Sequence, residues 1–455
     1  MSTIAVCVFP APSVVASALT LARRLRDRGH RVWIMSTPDV ESSARLAGVE
    51  FAPVLTGLFR SGSFVAEVDR ISKLSRFAAL RELRQSVSLY KLIMNRLVAS
   101  RDNEIDRAFD LIDPQLVLFY SDTPSLVLGA LVALRRGISC AYVTPFFYSY
   151  DGPSSPPLSF HNVPRPGLWG RIVGRLIWTY YFPLRNFHKR VNYALGVDIN
   201  LAPYLKKLAP APGRPGWPVN WRCFLAPKLS LPEFFLAPRD LEFDFQPREG
   251  SHWLGWHIDQ SRADDNFPFD RLDPSRPLIY CAMGTLFLRY APLKRRLAFL
   301  QAVVDALAAR PHLQLALATG GALEGRELAP SAPGAIILDR MPQLQLLSRA
   351  KIMITHCGLH TLMECASAGV PMIAFPLAFD QPGNSARILY HRLGLRADFR
   401  RATPQSIGLL IDSILADDAM SQRCAAMSQK SKLADNAESE LLAIESLARQ
   451  SNLPS

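Results

Sequence analysis

Two blocks of this chain share one rhythm: a short apolar run, a loop, an apolar helical stripe, a glycine and another apolar run. In the first block Ile4–Phe9 is apolar throughout, as a strand buried on both faces must be. After a loop at Pro10–Val15, Ser17–Arg28 carries apolar residues at 18, 19, 21, 22 and 25, a helical spacing, and Gly29 closes the helix before Val32–Met35. Strand, helix, strand at this length demands a parallel sheet with right-handed crossovers. The pattern returns at Leu116–Tyr120 and Ala141–Val143, with two or three Arg-rich amphipathic helices expected over residues 60–112.

A Pro-rich, then aromatic and basic stretch over 150–235 interrupts the alternation. It restarts with candidate strands Leu278–Met283, Leu313–Ala318, Ile336–Leu338, Ile352–Thr355 and Met372–Phe375. The fold expected is therefore α/β, two Rossmann-like doubly wound parallel-sheet domains facing each other across a cleft. The expected divisions are an N-terminal domain over 1–237, a linker and domain edge over 238–276, a C-terminal domain over 277–430, and a last helix over 431–455 able to pack back on the first domain. In such folds ligands bind outside the carboxyl ends of the strands.

The chain is long enough, at 455 residues, to bury two cores, and 49% apolar with 20% charged residues excludes a disordered or collagen-like chain. Its +13 charge suits an anionic partner: nucleic acid, a membrane surface or a phosphorylated small molecule. Zinc spacing, recognition-helix patterns and aromatic RNA-binding motifs are all missing from the sequence, which removes nucleic acid. Seven scattered cysteines without a C-x-x-C pair read as reduced core thiols and a cytoplasmic setting. Ile4–Ala22 is uncharged, but no Lys or Arg precedes it and Pro10, Pro12, Ser13, Ser17 and Thr20 interrupt it, so it reads as strand, loop and helix rather than a signal or span.

The chemistry concentrates between Met341 and Asn384. His356-Cys357-Gly358 forms the turn after the strand Ile352–Thr355, and Thr361–Ser367 opens the next helix. A helix N-terminus offers free N–H groups and partial positive charge, a site for phosphate. Gly358 lets a ligand approach the backbone, His356 can donate to a phosphate oxygen, and Glu364 can accept from ribose hydroxyls. Asp380-Gln381 offers acceptors and an amide to a sugar. Other uses of the same residues are open: Thr361 and Glu364 also fit a capping box, and Asp380-Gln381 before Pro382-Gly383 also fits turn chemistry.

Taken together, Pro342-Gln343, His356-Cys357-Gly358, Thr361, Glu364, Gly369-Val370-Pro371, Pro376, Asp380-Gln381 and Asn384 resemble the donor-binding signature of the UDP-glycosyltransferase superfamily, whose two-Rossmann layout is the GT-B fold. Tyr150–Pro157 and the Leu359-His360-Thr361 version of the motif look most like bacterial small-molecule members of the carotenoid and macrolide type. The resemblance implies a hexose transferred from a nucleotide diphosphate sugar, a UDP-sugar first, to a small acceptor, with inversion and without a metal; a missing D-x-D pair agrees with the last point. No resident cofactor is implied. His356 and Thr361, with N–H groups near Gly358, would hold the phosphates, Glu364 the ribose, and Met341 and Gln343 the base and ribose. Asp380 and Gln381 would hold the sugar, and Gly284-Thr285 would turn at the diphosphate.

Three positions depart from the pattern. Arg340 stands where an aromatic usually stacks on the base, which opens the choice to thymidine and other donors. Leu359-His360 replaces Trp-Asn. Ser13-Val14 replaces the Gly-His pair of the acceptor loop, so Val14 occupies the usual general-base position, while Asp122 matches the orienting Asp or serves as an N-cap. An acceptor that is already nucleophilic, Asp122 itself or a distant His such as His161 could compensate; the alternative is a catalytically silent nucleotide-sugar-binding homologue.

Finally, Arg165, Arg171, Arg175, Arg185, Lys189 and Arg190 interleave with Trp169, Ile172, Leu176, Ile177, Trp178 and Tyr180–Phe182. This fits either an amphipathic helix with its apolar face on the core or a peripheral contact with the inner membrane surface.

Overall fold

The computed structural model describes residues 1–450 except 73, 100–102, 122–123, 205–218, 225–226, 260–265, 285–286, 324–325, 330–333 and 434–437. Strands β1 (Thr3–Cys7), β2 (Arg31–Ser36), β3 (Glu50–Pro53), β4 (Leu116–Tyr120) and β5 (Ser139–Thr144) form the first sheet with two later strands. A short antiparallel ribbon, β6 (Val219–Asn220) with β7 (Lys228–Leu229), precedes those two, β8 (Glu233–Phe235) and β9 (Ser251–Trp253). The sheet order is β3-β2-β1-β4-β5-β8-β9, parallel throughout. The second sheet contains β10 (Leu278–Ala282), β11 (Gln314–Ala318), β12 (Ile336–Leu338), β13 (Ala350–Thr355), β14 (Met372–Ala374) and β15 (Gly394–Arg396). Its order is β12-β11-β10-β13-β14-β15, again all parallel.

The continuous apolar runs have the expected cause. Ile4, Val6, Leu116, Leu118, Ile279 and Ile354 are fully enclosed because helices cover both faces of each sheet. Three helices, Phe64–Ser72, Arg76–Ala99 and Glu104–Ile112, fill the interval after β3.

The first sheet runs past residue 237. β9 pairs with β8 in register Phe234↔His252, inside the stretch read as linker, because two aromatic residues and a small Ser there suffice for a three-residue edge strand. The first helix also starts earlier than the apolar stripe indicated, at Pro12 rather than Ser17. Proline at the first helical position needs no N–H bond and has its φ preset, so the apparent loop supplies the opening turn. Ser13 and Val14 therefore sit on a helix, Ser13 exposed and Val14 half-buried against the first core.

The last helix, Glu438–Gln450, inserts Leu441, Ile444 and Ala448 into the core of the first domain. Its Glu445 carboxylate takes Arg28 at 2.5 Å and His30 at 3.2 Å, which hold it down at about 2. The two domains are also fastened by Arg387, on the helix Gln381–Tyr390, which meets Glu242 at 2.6 and 2.9 Å with both side chains buried. All seven cysteines are buried, and none is joined in a disulfide.

Candidate functional site

In doubly wound sheets the crevice opens where strand order reverses. The reversals here lie between β1 and β4 in the first sheet and between β10 and β13 in the second. The segments leaving those four strands carry Ser13-Val14, Ser121-Asp122, Gly284-Thr285 and His356–Gly358. Topology alone thus gathers the motifs selected from the sequence. Asp122 and Thr285 lie outside the described residues.

His356 is seated between two glycines. A Cβ on Gly284 would fall 2.2 Å from His356 Cε1, and one on Gly358 would fall 2.7 Å from Nε2. Gly284 also has φ +73°, a left-handed conformation that glycine adopts without strain. Walled in this way, His356 is pushed down to about 4 by burial, so its imidazole is neutral at neutral pH although part of its surface reaches solvent. Its buried Nδ1 has no hydrogen-bond partner. It lies beside Gly358, the N-cap of the helix Leu359–Ala368, whose opening turn has no side-chain cap. An unsatisfied ring nitrogen beside unsatisfied N–H groups needs acceptor oxygens, and phosphate supplies them.

The capping-box use of Thr361 and Glu364 is excluded because the helix starts at Leu359, placing Thr361 inside it. Gln343 instead reaches over from the end of β12 and its Nε2 donates to the buried Glu364 carboxylate and, at 3.4 Å, to Thr361 Oγ1. Arg340 is exposed beside this group. Met341 is buried in the second core, so its backbone alone is left to face a ligand. His360 stands close enough to His257 for their charges to oppose each other.

Asp380 caps the helix Gln381–Tyr390 by position: its carbonyl accepts the Asn384 N–H at 3.0 Å, while its side chain makes no bond to the helix's N–H groups. Its carboxylate accepts from Asn384 Nδ2 at 2.7 Å, and the same Nδ2 donates to Cys357 O at 2.9 Å, tying the two loops together. Burial raises Asp380 to about 6, against the lowering effect of Asn384. Gln381 Oε1 accepts the N–H groups of Leu377 at 2.8 Å and Ala378 at 3.1 Å. The turn-chemistry reading thus describes Gln381 Oε1, while Asp380 is held rigid by a side-chain amide.

Four features escaped sequence reasoning. Phe379, at φ +65° and partly exposed, makes edge contacts with Phe146 at 5.5 Å and Phe224 at 6.0 Å, an aromatic wall between the domains next to Asp380. Phe9, Phe59 and Phe64 form a second aromatic group where the chain leaves β1. His257 is buried, bonded through Nε2 to Ser17 O at 2.9 Å, and pushed down to about 4 by burial. Glu233 takes bonds from Thr144, Tyr150 and Lys228, closing a buried polar cluster beneath Ser121. Apart from Lys228–Glu233 and Phe59–Phe64, the partners in these features come from segments far apart in sequence; the i, i+4 spacing of Asp380 and Asn384 was a further local signal. His161, offered as a substitute base, lines a separate cavity of about 530 Å³ beside the helix Gly167–Ala194.

Comparison with known proteins agrees with this geometry. A family model described as UDP-glucoronosyl and UDP-glucosyl transferase matches residues 298–432. The chain is 33% identical over 162 residues to zeaxanthin glucosyltransferase of Pantoea ananas, covering 35% of this chain and 36% of that one. It is 23% identical to demethyllactenocin mycarosyltransferase of Streptomyces fradiae over 92% of this chain and 80% of that one. The solved glycotransferase of kitacinnamycin superposes with a TM-score of 0.69 at 18% identity, covering 98% and 99% of the two chains. Residues 298–432 are thus similar to UDP-glucoronosyl and UDP-glucosyl transferases. The zeaxanthin glucosyltransferase match spans about a third of that relative's length. The chain has the two-sheet GT-B fold over nearly its whole length, and its motif-bearing segment lies inside the matched residues.

Proposed function

We propose that the chain transfers a hexose from a nucleotide diphosphate sugar, a UDP-sugar first, to a small, lipophilic or amine- or carboxylate-bearing acceptor. One observation carries the reading: the neutral, unpartnered His356 ring beside the uncapped start of the helix Leu359–Ala368, with Glu364 and Asp380 on either side.

In this reading the diphosphate rests on the helix N-terminus and accepts from the His356 ring. The ribose hydroxyls bond Glu364, with Gln343 orienting that carboxylate. Asp380 and Gln381 take the sugar hydroxyls. The acceptor's nucleophilic atom attacks the anomeric carbon in a single inverting displacement. The C1–O bond to the diphosphate breaks with its electron pair, and fixed N–H donors stabilise the leaving charge without a metal. Because His356 is neutral, the charge stabilisation comes from oriented dipoles rather than a cation.

The acceptor proton is the weak point, because Val14 replaces the expected base and such a base contributes about 10²–10⁴-fold for hydroxyl acceptors. An amine acceptor attacks as the free base and a carboxylate as the anion; Asp122 is the base this sequence offers for a hydroxyl. Val14 equally motivates the second reading, a homologue that binds a nucleotide sugar without turning it over.

Calorimetry with UDP- and dTDP-hexoses, followed by mass spectrometry against hydroxyl, amine and carboxylate acceptors, separates the two. Binding plus a sugar-sized mass increase supports transfer. Binding without transfer or donor hydrolysis supports the silent homologue, and no binding overturns both.

A further inference from the structure

We propose that the helix Gly167–Ala194 lies on the surface of an anionic phospholipid bilayer. Its buried residues are Gly174, Trp178 and Tyr181, which share one side, with Phe182 packed beside them on the second core. Gly170 and Gly174 allow that side to touch backbone: a Cβ at either would fall 1.8 Å from the carbonyl oxygens of Arg165 and Pro153. The opposite side is apolar and exposed. Leu168, Ile172, Leu176 and Tyr180 follow at four-residue intervals, with Trp169 and Phe187 beside them, and Trp169 is 80% exposed. The sequence pattern alone was equally compatible with that face lying on the core; the structure turns it outward, leaving a continuous apolar stripe of a kind that rarely stays uncovered in water.

Charge selects the occupant. From Gly152 to Val197 the sequence contains six Lys and Arg and no Asp or Glu. Arg185 is spent on the carbonyls of Trp221 and Cys223. Arg165, Arg171, Arg175 and Arg190 are exposed, and among the described residues none has a carboxylate partner. A second copy of this basic face would repel the first, whereas an acidic headgroup layer attracts it, and the apolar stripe suits the boundary beneath the headgroups. The aromatic Trp169 and Tyr180 fit that depth. No helix among the described residues is long and apolar enough to cross a membrane, so the helix lies along the interface.

The test is flotation of the full chain with phosphatidylcholine vesicles, with and without phosphatidylglycerol. Binding is expected with phosphatidylglycerol only at low salt, together with a blue shift in fluorescence that Trp169→Phe abolishes. Arg171→Gln with Arg175→Gln should weaken binding about fivefold per arginine removed. Leu168→Glu with Leu176→Glu should abolish it while leaving the melting temperature and nucleotide-sugar binding unchanged, since both side chains are exposed. Absence of flotation at low salt overturns the proposal. So does a concentration-dependent dimer that the Leu168→Glu, Leu176→Glu variant dissociates, because the stripe is then covered by another copy.

Discussion

Arg387→Ala tests how the two domains are held together. The guanidinium is enclosed: Nε and Nη2 donate to Glu242 Oε2 at 2.9 and 2.6 Å, Nη1 to Gly383 O at 3.2 Å, and Nη2 to Tyr148 O at 3.3 Å. Phe147 and Phe243 lie against the guanidinium at 4.2 and 4.3 Å. Removing it strands the Glu242 carboxylate, whose side chain has no solvent exposure and retains the Tyr148 N–H as a donor. Breaking one partner of such a pair costs about 3–5 kcal/mol, while replacing both by apolar groups of similar volume is often close to neutral. Urea unfolding followed in both domains should therefore show Arg387→Ala losing that amount and Arg387→Met with Glu242→Leu recovering most of it. The pair bridges the domains, so the single variant should also separate one cooperative transition into two. A loss under about 1 kcal/mol, or a double variant no more stable than the single, would refute the view that this pair is the weld.

Further outcomes follow from the site. Asp380 is raised to about 6 in the fold, so its contribution to stability is present below its ordinary 3.8 and is lost as pH rises through 6; in the proposed reading its ionised form accepts from the sugar hydroxyls, so donor KM should fall as pH rises across the same interval, and Asp380→Asn should flatten the profile. His257 is depressed to about 4, so its contribution is complete above 6.5 and disappears as pH falls through 4, about 3 kcal/mol that His257→Asn should remove from the acid limb of a denaturation series. Gly358→Ala places a methyl against Nε2 of His356 and should weaken nucleotide-sugar binding at least about tenfold by calorimetry, the equivalent of one lost charge-assisted bond. Transfer rates should survive excess EDTA; strict metal dependence would contradict charge stabilisation by oriented dipoles. Val14→His should gain hydroxyl glycosylation by mass spectrometry, and an unchanged product pattern would remove position 14 as the missing base.

Much of this architecture was readable from local sequence because its causes are local. A strand covered on both faces must be apolar along its length, so Leu116–Tyr120, buried at every position, matches its observed limits. Edge strands obey no such rule. β9 and β15 are three residues long, include partly exposed positions, and exist because a neighbouring strand, β8 or β14, offers free backbone groups. The start of the first helix was hidden because prolines at 10 and 12 look like punctuation, while one of them is a good first residue of a helix. In the site, motif spacing located His356, Glu364 and Asp380. Their chemical states were not legible: the neutrality of His356 depends on Gly284, far upstream, and the Gln343–Glu364 bond on a chain reversal between strands.

The helix that closes the chain has a consequence for biogenesis. With Leu441, Ile444 and Ala448 seated in the core built on Ile4–Val8, the first domain is discontinuous in sequence and one of its walls is synthesised only after the second domain. A fragment cut after the first sheet would expose that apolar socket, so separately expressed halves should aggregate unless residues 438–450 are supplied in trans. The growing chain keeps this hydrophobic site open until the second domain has been made, and its closure couples maturation of the first domain to completion of the second.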